Sequence, residues 1–473
     1  MARFVGRSAQ LHRLEQMLTS LTDGRRDRPG RALLMRGRRR VGKSRLVEEF
    51  LERSGVPHVF FTASMQPPEG ELGLFAAEVA SSNLPGARTF SGVTVSSWDA
   101  ALRLLATALP PDRPSVVVID ELPYLTGKDP RFEGTLQKAF DRELSRLPVL
   151  LIGIGSDLAM MEALNEYGRP FHQRATEMVV PPLTPWEVGA MLGLEPAQAI
   201  DAYLVTGGLP LVCAEWPEAS DLGSYVAAAV SDPTSALLVS GERAIAAEFP
   251  PDALARRVLG AVGAGERTFT AIQRAAGDIQ QASLNRALQI LLTKRVVVAE
   301  RPLSTRASRE TRYRVADPYL RFWLAYLAPG LAEIERGRGD VVHSRIRSGW
   351  TSWRGRAVEP VVREALERLP LPGVAPGGMV GGYWTRSNDP EVDVVIADRS
   401  PVADQVRAVG SIKWLERQRF DRRDLSRLLT HRSQVPGADE DTPLVVVSRS
   451  GCDVPDVPCI GPDELIRAWA PPE

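Results

Sequence analysis

The chain has 473 residues, of which 44% are apolar and 25% charged, an ordinary globular composition with length enough for two or three hydrophobic cores. Lys+Arg and Asp+Glu both number 58, so the formal net charge is zero and any affinity for a polyanion has to come from a local patch. No apolar run approaches the ~20 residues that span a bilayer, and the start MARFVGRS lacks the apolar core of a signal peptide. The three cysteines, Cys213, Cys452 and Cys459, are widely spaced with no CxxC metal pair. These features predict a multidomain cytoplasmic protein of a reducing compartment, with no membrane association. Arginines number 53 against five lysines, so each lysine stands out as a place where a compact ammonium is retained.

In chain order, the first ~220 residues alternate apolar strand-like runs with helical periodicity, which predicts an α/β fold with a parallel sheet. Strands are expected at Ala32–Met35, His58–Thr62, Val116–Asp120 and Val149–Ile154, with helices such as Ser8–Leu21, Lys43–Ser54 and Trp98–Leu109 between them. Pro182–Met191 opens a helical segment that ends at the turn Thr206-Gly207-Gly208-Leu209-Pro210. From Pro251 to Val315 the pattern becomes three helices (Leu254–Val262, Phe269–Ala276, Ser283–Thr293) and a hairpin (Val296–Glu300, Arg312–Val315). That is winged-helix order, whose third helix often enters a DNA groove, although a packing module has the same pattern. Tyr319-Leu320-Arg321-Phe322-Trp323 reads as a buried linker helix. The Pro/Gly-rich stretch Leu369–Gly382 then punctuates a second α/β region with strands at Val392–Ile396, Ala408–Ile412 and Leu444–Val447. The expected domains are therefore 1–220, 221–316 and 317–473.

The strongest chemical signal is Gly37-Arg38-Arg39-Arg40-Val41-Gly42-Lys43-Ser44, a full GxxxxGK[ST] match between a strand and a helix. The glycines let backbone N–H groups wrap phosphates, and the helix N-terminus adds its dipole. Lys43 is expected at the β/γ-phosphates and Ser44 on Mg²⁺; Arg45 follows at the start of the helix. Val116-Val117-Val118-Ile119-Asp120-Glu121 supplies the second signal: a buried strand carries Asp120 to its C-terminal edge as the outer Mg²⁺ partner, with Glu121 to polarise the attacking water. The pair implies nucleotide hydrolysis. Ser156, after the strand Val149–Ile154, is a candidate γ-phosphate sensor or a helix N-cap. Arg169 and Arg174 are candidates for the cation that steadies the transferring phosphoryl group, in cis or from a neighbouring subunit of a homo-oligomer, against a solvated role.

Phe4-Val5-Gly6-Arg7, Gly37–Ser44 with Arg45-Leu46, and Ile119-Asp120-Glu121 together resemble the archaeal-type ATPases, an AAA-like/STAND branch of the P-loop proteins. Gly153–Met161, the Arg174 region, Gly207-Gly208-Leu209-Pro210 and Asp317–Trp323 extend the likeness, and the last third resembles that family's C-terminal domain of unknown function 234, related to PD-(D/E)xK nucleases. The resemblance implies an ATPase with a nucleic-acid link. ATP rather than GTP follows from the family and from the lack of an [NT]KxD motif. In the nuclease-like pattern Glu359 matches the helical glutamate, Asp393 the first strand acid and Lys413 the lysine, whereas Ser411 stands where the family places a carboxylate, a poorer Mg²⁺ ligand. A degenerate nuclease site retained for binding is the expectation. Arg417, Arg419, Arg422, Arg423, Arg427, His431 and Arg432, and Arg306, Arg309, Arg312 and Arg314 near the wing, are candidate phosphate contacts, DNA before RNA, against a solvated face. The alternatives to a nucleic-acid-coupled ATPase are a STAND-like switch acting on a protein partner and an ATP-gated nuclease.

Overall fold

The computed structural model describes residues 4–23, 27–455 and 457–471. The chain forms two compact units, the first ending at Pro182 and the second starting at Leu183.

The first unit is built on five parallel strands, β1 (Arg31–Arg36), β2 (His58–Thr62), β3 (Ser115–Asp120), β4 (Val149–Gly155) and β5 (Ala175–Val179), in the order β2-β3-β4-β1-β5. This is the α/β architecture with a parallel sheet that the alternation of apolar runs and helices predicted. Every residue of β3 and β4 is buried, which is why both read as near-continuous apolar runs. β5 was not expected from the residue pattern. It is an edge strand in which Thr176, Glu177 and Val179 face solvent and only Met178 is buried. On one side of the sheet, Phe61, Phe75, Phe90, Trp98 and Phe132 pack edge-on with ring centroids 4.9 to 6.3 Å apart. Truncating any of these buried rings to alanine is worth roughly 3–5 kcal/mol.

The second unit takes in the helices Pro185–Leu192 and Pro196–Thr206, which the sequence grouped with the P-loop domain. The turn after them needs its glycines: Gly208 has φ +66°, and a Cβ there would lie 2.0 Å from the Leu183 carbonyl oxygen. The helices Leu254–Gly263, Phe269–Ala275 and Gln281–Thr293 precede an antiparallel hairpin of β6 (Val297–Glu300) and β7 (Arg312–Val315), which is the predicted winged-helix order. Tyr319, Phe322 and Trp323 form the buried linker, with the Tyr319 hydroxyl and the Trp323 indole N–H donating to the Leu237 and Leu238 carbonyls at 2.8 Å.

A 30-residue helix, Gly339–Arg368, follows, and then a mixed sheet of β8 (Met379–Trp384), β9 (Glu391–Ala397), β10 (Val406–Lys413), β11 (Leu444–Ser448) and β12 (Cys459–Ile460), in the order β12-β11-β10-β9-β8. β8 pairs antiparallel with β9 and β9 with β10, while β10, β11 and β12 run parallel. The long helix packs Val358, Val362 and Ala365 on Val394, Ile396 and Val447, and the opposite face buries Val395, Val409 and Val446 with Phe420 and Leu428. β8 begins inside the Pro/Gly-rich stretch expected to be a connector; two glycines in its centre concealed it. Cys452 and Cys459 form a disulfide, which corrects the reading of the cysteines as those of a reducing-compartment protein; Cys213 is a buried free thiol. Among the described residues no helix is long and apolar enough to cross a membrane.

Candidate functional site

The loop Gly37–Gly42 joins β1 to the helix Lys43–Ser54. Gly37 is confined by the Val180 carbonyl, 2.5 Å from where a Cβ would stand, and the chain turns through the left-handed region at Arg40 (φ 68°) and Gly42 (φ 84°). Lys43 Nζ donates to the carbonyls of Gly37 at 2.9 Å and Arg38 at 3.1 Å. Burial pushes its ammonium below the usual lysine range, opposed by the nearby charges of Glu121 and Asp120. A phosphate would meet a cation already held in place and in need of countercharge. The Ser44 hydroxyl donates to Asp120 Oδ2 at 2.7 Å, and the Glu121 N–H donates to Asp120 Oδ1 at 2.9 Å. A hydroxyl beside a carboxylate is a hard-oxygen donor pair, and the two residues fit the Mg²⁺ they were predicted to share. Arg7, buried with φ 62°, donates to the Val41 carbonyl at 2.9 Å; the opening Gly6-Arg7 thus braces the P-loop, a role its sequence position did not suggest.

Glu121 sits just beyond β3 with φ 52°, in a left-handed conformation that non-glycine residues seldom adopt. Ser156 donates to both of its carboxylate oxygens, at 3.1 and 3.2 Å. The N-cap alternative for Ser156 is corrected: Asp157 caps the following helix, accepting from the Met160 N–H. Arg39 spans the mouth of the site, donating to the Tyr124 hydroxyl at 2.8 Å and reaching Ser156 Oγ at 3.5 Å, the outer limit of a hydrogen bond. Tyr124 was not singled out from sequence. Arg174 is held by Asp141 at 3.0 Å and the Pro170 carbonyl at 2.9 Å, and Arg169 by Glu133 at 2.6 Å. Both carboxylates belong to the helix Arg131–Arg142, so the structure does not gather these two arginines with Lys43 and Glu121.

In the second unit Glu359, Asp393, Ser411 and Lys413 do come together, lining one cavity of about 470 Å³ with Arg267 and Asp424. Asp393 lies where the β8–β9 register shifts between Gly381 and Tyr383, an irregularity of the kind that re-aims a side chain. Its Oδ2 accepts from Ser411 Oγ at 3.0 Å and the Ile412 N–H at 2.8 Å. Lys413 is paired with Asp424, and Glu359 with Arg363 at 2.9 Å. Burial raises the carboxyls of both Asp393 and Glu359 above the ordinary range. Among the described residues no three His, Cys, Asp or Glu side chains are placed to hold a metal ion. With Ser411 supplying a hydroxyl and Lys413 engaged by Asp424, the residues of this cavity do not fit the metal-dependent cleavage pattern.

Residues 323–425 match the family model DUF234, described as archaea bacterial proteins of unknown function. The expected likeness to domain 234 is therefore found. An uncharacterized protein of Methanocaldococcus jannaschii is 22% identical over 418 residues, 86% of this chain and 88% of that one. Among solved structures, a Walker-type ATPase of Pyrococcus abyssi is similar with a TM-score of 0.47 and 20% identity, covering 68% of this chain and 96% of that one. The ORC2 protein of Aeropyrum pernix, in ADPNP–ADP complexes, is similar with a TM-score of 0.48 and 14% identity, covering 70% and 94%.

The DUF234 match spans the cavity residues Glu359, Asp393, Ser411, Lys413 and Asp424. Around it, several arginines offered as phosphate contacts are taken up internally. Arg312 of β7 donates to Glu391 and Asn388, each at 2.6 Å, and its guanidinium lies 4.4 Å from the Trp384 ring centroid. Arg314 is paired with Glu300. These pairs fasten the wing to the mixed sheet and the long helix, because Arg363 of that helix also faces Glu300 at 3.7 Å. Arg321 in the same seam is pushed down to about 10 by burial, with Arg314 adding to the effect. Arg306 and Arg309 are exposed. Of the downstream cluster, Arg419 pairs with Asp453, Arg432 caps the Thr442 carbonyl at 3.0 Å and His431 Nδ1 lies 3.1 Å from the Glu391 carbonyl, whereas Arg417, Arg422, Arg423 and Arg427 are exposed.

Proposed function

We propose that the chain is a Mg²⁺-dependent ATPase that couples its nucleotide state to nucleic-acid binding, DNA before RNA, through the winged-helix and DUF234 regions. The observation that carries the reading is the convergence of Lys43, Ser44, Asp120 and Glu121 at the C-terminal edge of the parallel sheet, where open α/β sheets bind ligands. The loop N–H groups and Lys43 bind the triphosphate, and Glu121, oriented by Ser156, orients and deprotonates the attacking water. Mg²⁺ held by Ser44 and Asp120 supplies neutralisation of phosphate charge. The exposed arginines of the 422–432 helix and of the wing loop supply the salt-dependent contacts. The DUF234 cavity serves as a binding pocket, and Asp393 and Glu359 do no metal chemistry in it.

One observation favours a second reading, a slow switch for a protein partner: the wing arginines Arg312 and Arg314 are occupied within the chain and leave fewer cations for a nucleic acid. Phosphate release from Mg·ATP, with and without DNA or RNA and beside Lys43→Ala, separates the two. Turnover that is lost in the variant and stimulated by nucleic acid supports the nucleic-acid-coupled ATPase. Tight ATP binding with turnover indifferent to nucleic acid supports the switch.

A further inference from the structure

We propose that Arg39 is the arginine that meets the γ-phosphate of bound ATP, acting in cis from inside the P-loop, with Tyr124 and Ser156 holding it at the mouth of the site until nucleotide arrives. This rests on the ATPase reading above and assigns the one component that reading lacks. Transfer of a phosphoryl group gathers charge on the equatorial oxygens, and a guanidinium presents a planar fork of donors suited to them. The two arginines expected in this role are neutralised by carboxylates of one helix, Arg169 by Glu133 and Arg174 by Asp141.

Arg39 is placed differently. It leaves the loop four residues before Lys43, is exposed, and bridges to the helix that follows β3 and to the residue that follows β4. Its Nη2 donates to the hydroxyl of Tyr124, and Tyr124 stands one turn after Glu121, its own N–H donating to the Glu121 carbonyl at 2.9 Å. Its Nε approaches Ser156, the residue that holds the Glu121 carboxylate. Arg39 is therefore one hydroxyl away from the group that activates water, on the side of the site where the γ-phosphate has to lie between Lys43 and Glu121. Both of its partners are neutral hydroxyls, so its positive charge remains available to a phosphate, and each contact is weaker than the charge-assisted bonds that a phosphate offers in exchange.

In the step this arrangement serves, the water oxygen bonds to the γ-phosphorus as the bond from that phosphorus to the β,γ-bridging oxygen breaks. ADP departs with the bonding electron pair. One water proton passes to Glu121 and on to solvent, and the other stays on the inorganic phosphate. Arg39 donates to the γ-oxygens throughout and takes no proton.

The test uses the full chain with Arg39→Ala and Arg39→Lys, and measures phosphate release, affinity for a fluorescent ATP analogue, and affinity for ADP with and without aluminium fluoride. Loss of an electrostatic contact made chiefly in the transition state lowers kcat by about 10²- to 10³-fold. Affinity for the ATP analogue is expected to hold within about threefold, and the tighter binding of ADP with aluminium fluoride over ADP alone should vanish in Arg39→Ala and partly return in Arg39→Lys. Turnover of Arg39→Ala near the wild-type value, with Lys43→Ala inactive, overturns the assignment and leaves the ATPase reading standing. Equal weakening of ADP and its aluminium fluoride complex also overturns it, because that marks a loop-ordering role. A wild-type chain that releases no phosphate removes the ATPase reading and this assignment with it.

Discussion

Removing the carboxylate of Asp201 is the sharpest test of how the second unit is held together. Asp201 is buried and accepts from three donors: Arg354 Nη1 at 2.8 Å and Arg449 Nη2 at 3.0 Å on Oδ2, and the Trp414 indole N–H at 2.9 Å on Oδ1. Through it the helix Pro196–Thr206 is joined to the long helix, which carries Arg354, and to the ends of β10 and β11. Asp201→Ala strands a guanidinium that is only 1% exposed, with Glu416 at 2.8 Å as its remaining carboxylate, and leaves the indole N–H unpaired. Breaking a buried ion pair from one side costs about 3–5 kcal/mol. An orphaned buried donor adds about 1–3 kcal/mol. Two features reduce the sum: Arg354 keeps Glu416, and the Nε atoms of Arg354 and Arg449 have no partner even in the intact network, so the network is not fully optimised. A loss of about 4 kcal/mol is expected for Asp201→Ala, and about half of that for Asp201→Asn, which keeps an acceptor for the indole. Urea unfolding followed by tryptophan fluorescence reads the change as a lower midpoint at unchanged slope. A loss below about 1 kcal/mol for Asp201→Ala would refute the reasoning, since the carboxylate would then be replaceable by relaxation and water.

Three further outcomes follow from the same geometry. Glu121→Gln keeps the hydrogen bond to Ser156 but cannot take a proton; ATP binding should persist while phosphate release falls about 10²- to 10⁴-fold in single-turnover assays. Asp393 carries a carboxyl raised by burial, so the folded state holds its proton at higher pH than the unfolded state does, and its contribution to stability is lost as pH rises from near 4 through the raised value. Asp393→Asn, whose carbonyl can still accept from Ser411 and Ile412, should therefore be at least as stable as wild type at pH 7 and lose that advantage below pH ~4 in denaturation series. A deficit in Asp393→Asn of the same size at both pH values would contradict the assignment. Arg312→Ala removes the pair to Glu391 and the stacking on Trp384; the wing should become exchange-competent in amide hydrogen exchange while the P-loop helix keeps its protection.

The linear chain already contained the parallel α/β fold of the first unit and the residues that meet at the edge of its sheet. Gly37–Ser44 and the run ending in Asp120-Glu121 are local patterns, and a parallel strand buried on both faces leaves an unmistakable apolar signature, as β3 and β4 do. The winged-helix order is likewise a local pattern, whereas the grouping of Glu359, Asp393, Ser411 and Lys413, which line one cavity, came from the resemblance to a nuclease-like family. Edge strand β5 and glycine-centred β8 escaped notice because burial on one side, or no side chain at all, leaves no periodic pattern to read. Only the tertiary structure could decide which arginines are spent. With 53 of them in the sequence, nothing local distinguishes Arg174 on Asp141 or Arg312 on Glu391 from Arg39 on two neutral hydroxyls. A charge is available or neutralised according to what stands within about 4 Å of it in space, and its partners here lie tens of residues away along the chain.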